Sequence, residues 1–119
     1  MSSLNMRDKR VLEEFLGMDS GYVLAFSDRS FGEFVQDEIH SDKYTVQGSS
    51  KAKKLRAFWE IESDYLVGRL IRALIDYSEE TAHETTEKEK KQAQRCKEIA
   101  SHLIAGGPSL DDFCKLAYT

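Results

Sequence analysis

The stretch Ser49 to Tyr77, SSKAKKLRAFWEIESDYLVGRLIRALIDY, decides the fold of this chain. Its second half holds the longest strongly apolar helical pattern. Leu66, Val67, Leu70, Ile71, Leu74 and Ile75 recur at helical spacing, with Arg69, Arg72 and Asp76 forming the polar stripe. Ser63 followed by Asp64 suits a helix start, because the serine oxygen accepts an orphan amide and an acid favours the first turn. The spacing predicts a helix from there to about Tyr77. The first half predicts another, roughly Lys51 to Glu60, with Ala52, Leu55, Phe58 and Trp59 on one side. A face as wide as that of the second helix needs cover from two directions, and the two helices are expected to form an antiparallel or steeply crossed pair.

Working outward, Asn5 or Asp8 can start a helix with Val11, Leu12, Phe15 and Leu16 on one face, and Gly17 is a natural stop. The apolar run Gly21 to Phe26 has strand-like residue types but no second convincing strand to pair with. It reads as extended or one-turn chain packed into the core, with a short ribbon to Lys43 to Val46 as the alternative. Ser30 and Glu33 form a capping box that opens a helix through about His40, burying Phe31, Phe34, Val35 and Ile39. Residues 41–48 read as a surface loop.

Beyond Tyr77, Glu79 to Gln92 carries almost no apolar side chain, the mark of a solvated surface, yet Thr86 to Glu89 is a second capping box. The helix it opens turns amphipathic at Ala93, Cys96, Ala100 and Leu103, with Ile99 and Ile104 alongside, and Gly106, Gly107 and Pro108 end it. Ser109 opens a last short helix with Leu110, Phe113 and Leu116 inward. The expectation is an all-α compact bundle of five or six helices in one domain spanning residues 1–119, with at most a minor two-stranded ribbon.

Composition narrows the function classes. At 119 residues the chain buries about two-thirds of the surface its unfolded form exposes, enough to fold without a metal or disulfide. A net charge of −4 gives no global attraction to nucleic acid, so such binding needs a local basic patch. Cys96 and Cys114 are two lone thiols, which fits a reducing cytoplasm. No apolar run is long enough to span a membrane, and the polar N-terminus has no signal-peptide core.

The blocks Gly21 to Phe31 (GYVLAFSDRSF), Lys43 with Tyr44, Gly48 to Trp59 (GSSKAKKLRAFW), Cys96 to Ala100 (CKEIA) and Leu103 to Gly107 (LIAGG) resemble the AbiJ amino-terminal domain family of bacteria. That resemblance covers nearly the whole chain. It implies the front domain of a multidomain abortive-infection protein of phage defence, acting as a sensor, adaptor or partner-recognition module, with the toxic or enzymatic activity in the domain behind it. The family supplies no catalytic residue to carry over, and Ala25 stands where an acidic residue is expected in it.

Candidate chemistry is sparse. Lys43 and the helix start carrying Lys51, Lys53, Lys54 and Arg56 join cations to unpaired backbone amides, an arrangement that can hold a phosphate, nucleic acid or another anion. Cations there oppose the helix dipole by about 0.3 to 1 kcal/mol each, which favours an anionic partner. The commoner fate of such lysines is solvent, or acids such as Asp37, Glu38 and Asp42. It is no nucleotide P-loop, since the Gly-Lys-Ser/Thr order and the preceding strand are absent. Arg95 and His102, seven positions apart, match the loose Arg-x(4–6)-His pattern of HEPN ribonucleases, with histidine as general base and arginine on the phosphate. An ordinary surface arginine and histidine fit the same spacing, and Cys96 sits where a polar residue usually follows that arginine. His40, His83, His102, Cys96 and Cys114 have no metal-ligand spacing. Trp59, Phe58 and Tyr44 suit base stacking, though aromatics at helical spacing are more often core.

The expected function is therefore a non-catalytic recognition module without a cofactor. Its partner is another protein, a C-terminal effector domain or a second copy of itself in a homodimer. The alternatives are a nucleic-acid-binding module through the helix Lys51 to Arg56 and a HEPN-like ribonuclease using Arg95 and His102.

Overall fold

The computed structural model describes residues 2–18, 23–24, 26–39, 50–81 and 86–108. They form five helices and no strand: α1 Met6–Leu16, α2 Asp28–Ile39, α3 Lys51–Ile61, α4 Asp64–Thr81 and α5 Glu87–Ile104. The all-α bundle is as expected. The ribbon to Lys43 to Val46 and the helix after Ser109 lie outside the described residues.

Helix ends follow local chemistry. Asn5 caps α1 by accepting from the Asp8 amide at 2.8 Å, and Gly17 ends it in the left-handed conformation (φ 67°) that glycine adopts without a Cβ penalty. Thr86 caps α5 by accepting from the Glu89 amide at 3.1 Å. Helix α4 starts at Asp64 and overruns the expected end at Tyr77 by one turn, to Thr81, whose hydroxyl donates back to the Tyr77 carbonyl at 2.9 Å.

The start of α2 differs from the expected capping box of Ser30 with Glu33. Ser27 holds the cap position: its hydroxyl oxygen accepts from the Ser30 amide at 3.1 Å, while the Ser30 hydroxyl oxygen accepts from the Ser27 amide at 2.9 Å. Serine stands three residues on, where glutamate usually does, and satisfies the same orphan donors from one box earlier in the chain. Just before it, Val23 and Phe26 are buried and joined by a one-turn bond from the Phe26 amide to the Val23 carbonyl. This is the turn-like reading of the apolar run.

All six expected apolar positions of α4 are buried, together with Gly68. The close backbone partner of α4 is α5, not the expected α3; α1 packs on α5, and α2 on α4. Side-chain size explains the choice. A Cβ on Gly68 would lie 2.9 Å from the Ala100 carbonyl oxygen, the Ile104 Cγ1 and the Leu103 Cβ, so α4 and α5 meet with no room for one methyl group. Helix α3 adds Ala52, Leu55, Phe58 and Trp59 to the core, all at most 1% exposed, and its two aromatic rings fill space there that the glycine contact leaves to larger side chains. On the far side of α4, Phe26 stacks on Tyr77 with ring centroids 4.5 Å apart, and Phe34 meets the same tyrosine edge-on at 5.7 Å.

The N-terminal residues tie α3 to α4. The Ser2 hydroxyl donates to the Trp59 carbonyl at 2.6 Å, and the amide and hydroxyl of Ser3 donate to the Asp64 carboxylate.

Gly68→Ala adds helix propensity of up to about 1 kcal/mol. It also overpacks a contact that includes backbone, a cost on the order of 1 to 3 kcal/mol, so the packing cost dominates. Urea denaturation of the variant is expected to show a lower midpoint at unchanged slope; a midpoint at or above the parent's would contradict the close approach.

Candidate functional site

The cations of α3 are mostly spent on the fold. Ser50 caps the helix by accepting from the Lys53 amide at 3.2 Å. Lys51 and Lys54 follow, but they are only 7% and 6% exposed. The Lys54 ammonium is fully covered and has no hydrogen-bond partner among the described residues. Arg56 pairs with Glu13 of α1 at 2.6 Å, and Lys9 of α1 pairs with Glu60 at 2.8 Å and holds that carboxyl below its ordinary range. Lys53 alone of this set stands exposed with no ion pair to a described residue; Lys43 lies outside the described residues. Trp59 and Phe58 are core residues and offer no stacking face, and Tyr44 is not described.

The structure does bring Arg95 and His102 together. Both are exposed on α5, and both line one open depression with Ser3, Asn5, Asp8 and Glu98, where α1 begins beside the end of α5. Arg95 also lines a second depression farther up the same seam, shared with Val11 and Glu14 of α1 and with Lys88, Lys91 and Gln92 of α5. The α1–α5 seam therefore carries Lys88, Lys91, Arg95 and His102 on one face of a single helix. The sequence motif singles out only the last two. The i, i+3, i+7 and i+14 spacing of the set was legible, but the run Glu87 to Lys91 mixes both signs, and only the position of α1 shows which face of α5 borders a neighbour.

A different groove lies between α2 and α4. Phe34, Tyr65 and Tyr77 are half-buried there, flanked by the exposed Arg69 and Arg72, with Glu38, Asp76 and Glu80 on its rim. Arg72 approaches Asp76 at 3.4 Å one turn on, an exposed pair of small energetic weight. Half-buried aromatics beside arginines are the side chains most enriched where proteins bind one another.

Among the described residues, no three His, Cys, Asp or Glu side chains stand close enough to hold a metal ion. Cys96 is fully buried against α4, and desolvation pushes its thiol up to about 12, the nearby Arg95 opposing the shift only in part. A thiol so placed is packing and not a nucleophile.

No family model matches the chain, and neither the curated proteins nor the solved structures contain a match.

The raised Cys96 pKa sets two expectations. In the folded protein, peptide mapping after iodoacetamide treatment should find Cys96 unmodified at pH 8, and modified once urea unfolds the chain. The thiol ionises in the unfolded chain near 9 but in the folded one only near 12. The unfolded state thus binds fewer protons between those values, so stability is whole below pH 9 and falls as pH rises toward 12. Cys96→Ala should lose that part of the alkaline decline; identical decline in both proteins would contradict the assignment.

Proposed function

We propose that this chain is a non-catalytic recognition module of a bacterial abortive-infection protein, working in the cytoplasm as the sensing or docking part beside an effector. The resemblance of residues 21–31, 43–44, 48–59, 96–100 and 103–107 to the AbiJ amino-terminal domain family supports the abortive-infection setting. The observation that carries the recognition role is the α2–α4 groove, where Phe34, Tyr65 and Tyr77 lie beside Arg69 and Arg72. Aromatic rings supply docking area at little entropic cost, and planar guanidinium groups add directed hydrogen bonds and stacking. Its occupant under this reading is the effector domain or a second copy of the chain.

A second reading rests on one observation. Arg95 and His102 are exposed, stand two turns apart on α5 and line one depression, the arrangement a HEPN-like ribonuclease needs for a general base beside a phosphate-holding cation.

Two measurements separate these. Incubated with a mixed RNA panel, the chain is expected to leave the RNA intact; turnover that His102→Ala abolishes would establish the ribonuclease reading instead. In cells producing the protein that carries this chain, phage plaquing is expected to fall. It should recover when Tyr65→Ala and Arg69→Glu are introduced together, at unchanged protein level. Plaquing that the protein does not lower, or protection that survives both substitutions, would contradict the docking role.

A further inference from the structure

We infer that the α1–α5 seam is a nucleic-acid-binding surface, with Lys88, Lys91, Arg95 and His102 along one face of α5 as its phosphate contacts. This goes beyond the recognition reading, which seats a protein on the α2–α4 groove, and gives the module a second ligand on another face. It moves the basic site from α3, where Lys51 and Lys54 are buried and Arg56 is paired with Glu13, to α5, where Lys88, Lys91 and Arg95 stand in solvent.

The seam is built for a chain-like ligand. Positions 88 to 102 span about 21 Å at the helical rise, the length of about six nucleotides at 3.4 Å each. Arg95 lines both of the depressions along it. Lys91, Arg95 and His102 make no hydrogen bond or ion pair with a described residue, so binding them displaces no protein partner. Lys88 approaches Glu14 at 3.9 Å, but the two side chains are 79% and 57% exposed, and such a pair opens at negligible cost. On α1, Arg7 lies on the same side, four and seven residues before Val11 and Glu14, and is exposed.

The acids facing the seam are Asp8, Glu14 and Glu98. With them, the local field is too weak to attract a single phosphate strongly. A strand is a different ligand, because it gathers several cations at once and each releases a condensed counterion. The chain's net charge of −4 gives no general attraction to nucleic acid, so binding depends on these local cations.

The test is fluorescence anisotropy of labelled single-stranded DNA and RNA twelve-mers with the whole chain at 50 and 200 mM salt. Binding that weakens steeply with salt is expected. Lys91→Glu with Arg95→Glu should weaken it at least about tenfold at 50 mM and lower the salt slope by about 0.7 for each phosphate no longer neutralised. Lys91→Gln with Arg95→Gln should lower the slope equally without adding repulsion, and Lys53→Glu should leave binding unchanged. Circular dichroism checks that the exposed substitutions keep the fold. No binding at 50 mM salt, the same affinity in the seam variants as in the parent, or weakening confined to Lys53→Glu would each overturn the assignment. Failure of the non-catalytic reading is recorded separately, as turnover of the RNA strand, and does not enter the DNA curves.

Discussion

The close approach of α4 and α5 at Gly68 is the constraint on which the rest of this structure depends. Two helices carrying Leu, Ile and Val at every contact would stay farther apart. Here a glycine faces the backbone at Ala100, and the gap closes to where a methyl group no longer fits. That contact fixes α5 along one side of the apolar face of α4, and α1 then seats on α5. The opposite side goes to α2, where Phe34 joins Phe26 and Tyr77 in an aromatic cluster. Helix α3 completes the core with Ala52, Leu55, Phe58 and Trp59.

This arrangement decides which charges the protein can use. Helix α3 is rich in lysine, but it is wedged into the bundle: Lys51 and Lys54 are buried, and Arg56 is engaged with Glu13. Helix α5 divides its faces differently. Cys96, Ala100 and Leu103 pack inward, while Lys88, Lys91, Arg95 and His102 remain on the side that borders α1. A cation's value to a ligand depends on the water and partners around it, so a stripe of four well-separated exposed groups outweighs a denser cluster withdrawn into the fold.

Much of the fold was legible because it is written in local chemistry. The caps at Asn5 and Thr86, the stop at Gly17 and the six buried positions of α4 all follow from spacing and side-chain type. Two features were not legible in the same way. The choice of α5 over α3 as close neighbour of α4 turns on Gly68 meeting Ala100, residues 32 positions apart whose fit is invisible until both helices are placed. The burial of Lys51 and Lys54 went against residue type, since lysine belongs to surfaces by ordinary expectation, although Lys51 stands at i, i+4 and i+7 with Leu55 and Phe58 of the apolar face. The candidate site was half legible. Arg95 and His102 stood out by a motif, whereas Lys88 and Lys91 gained meaning only from the place of α1.

Native-state hydrogen exchange across the α4–α5 pair tests the central claim most directly. If that contact organises the bundle, the amides of Val67 to Ile75 and of Cys96 to Leu103 will be the slowest in the protein. Both sets will exchange through the same global opening, with a common dependence on denaturant. Slow exchange confined to α4, with Cys96 to Leu103 opening at lower free energy, would show that α5 is an attachment to the core and not half of its foundation.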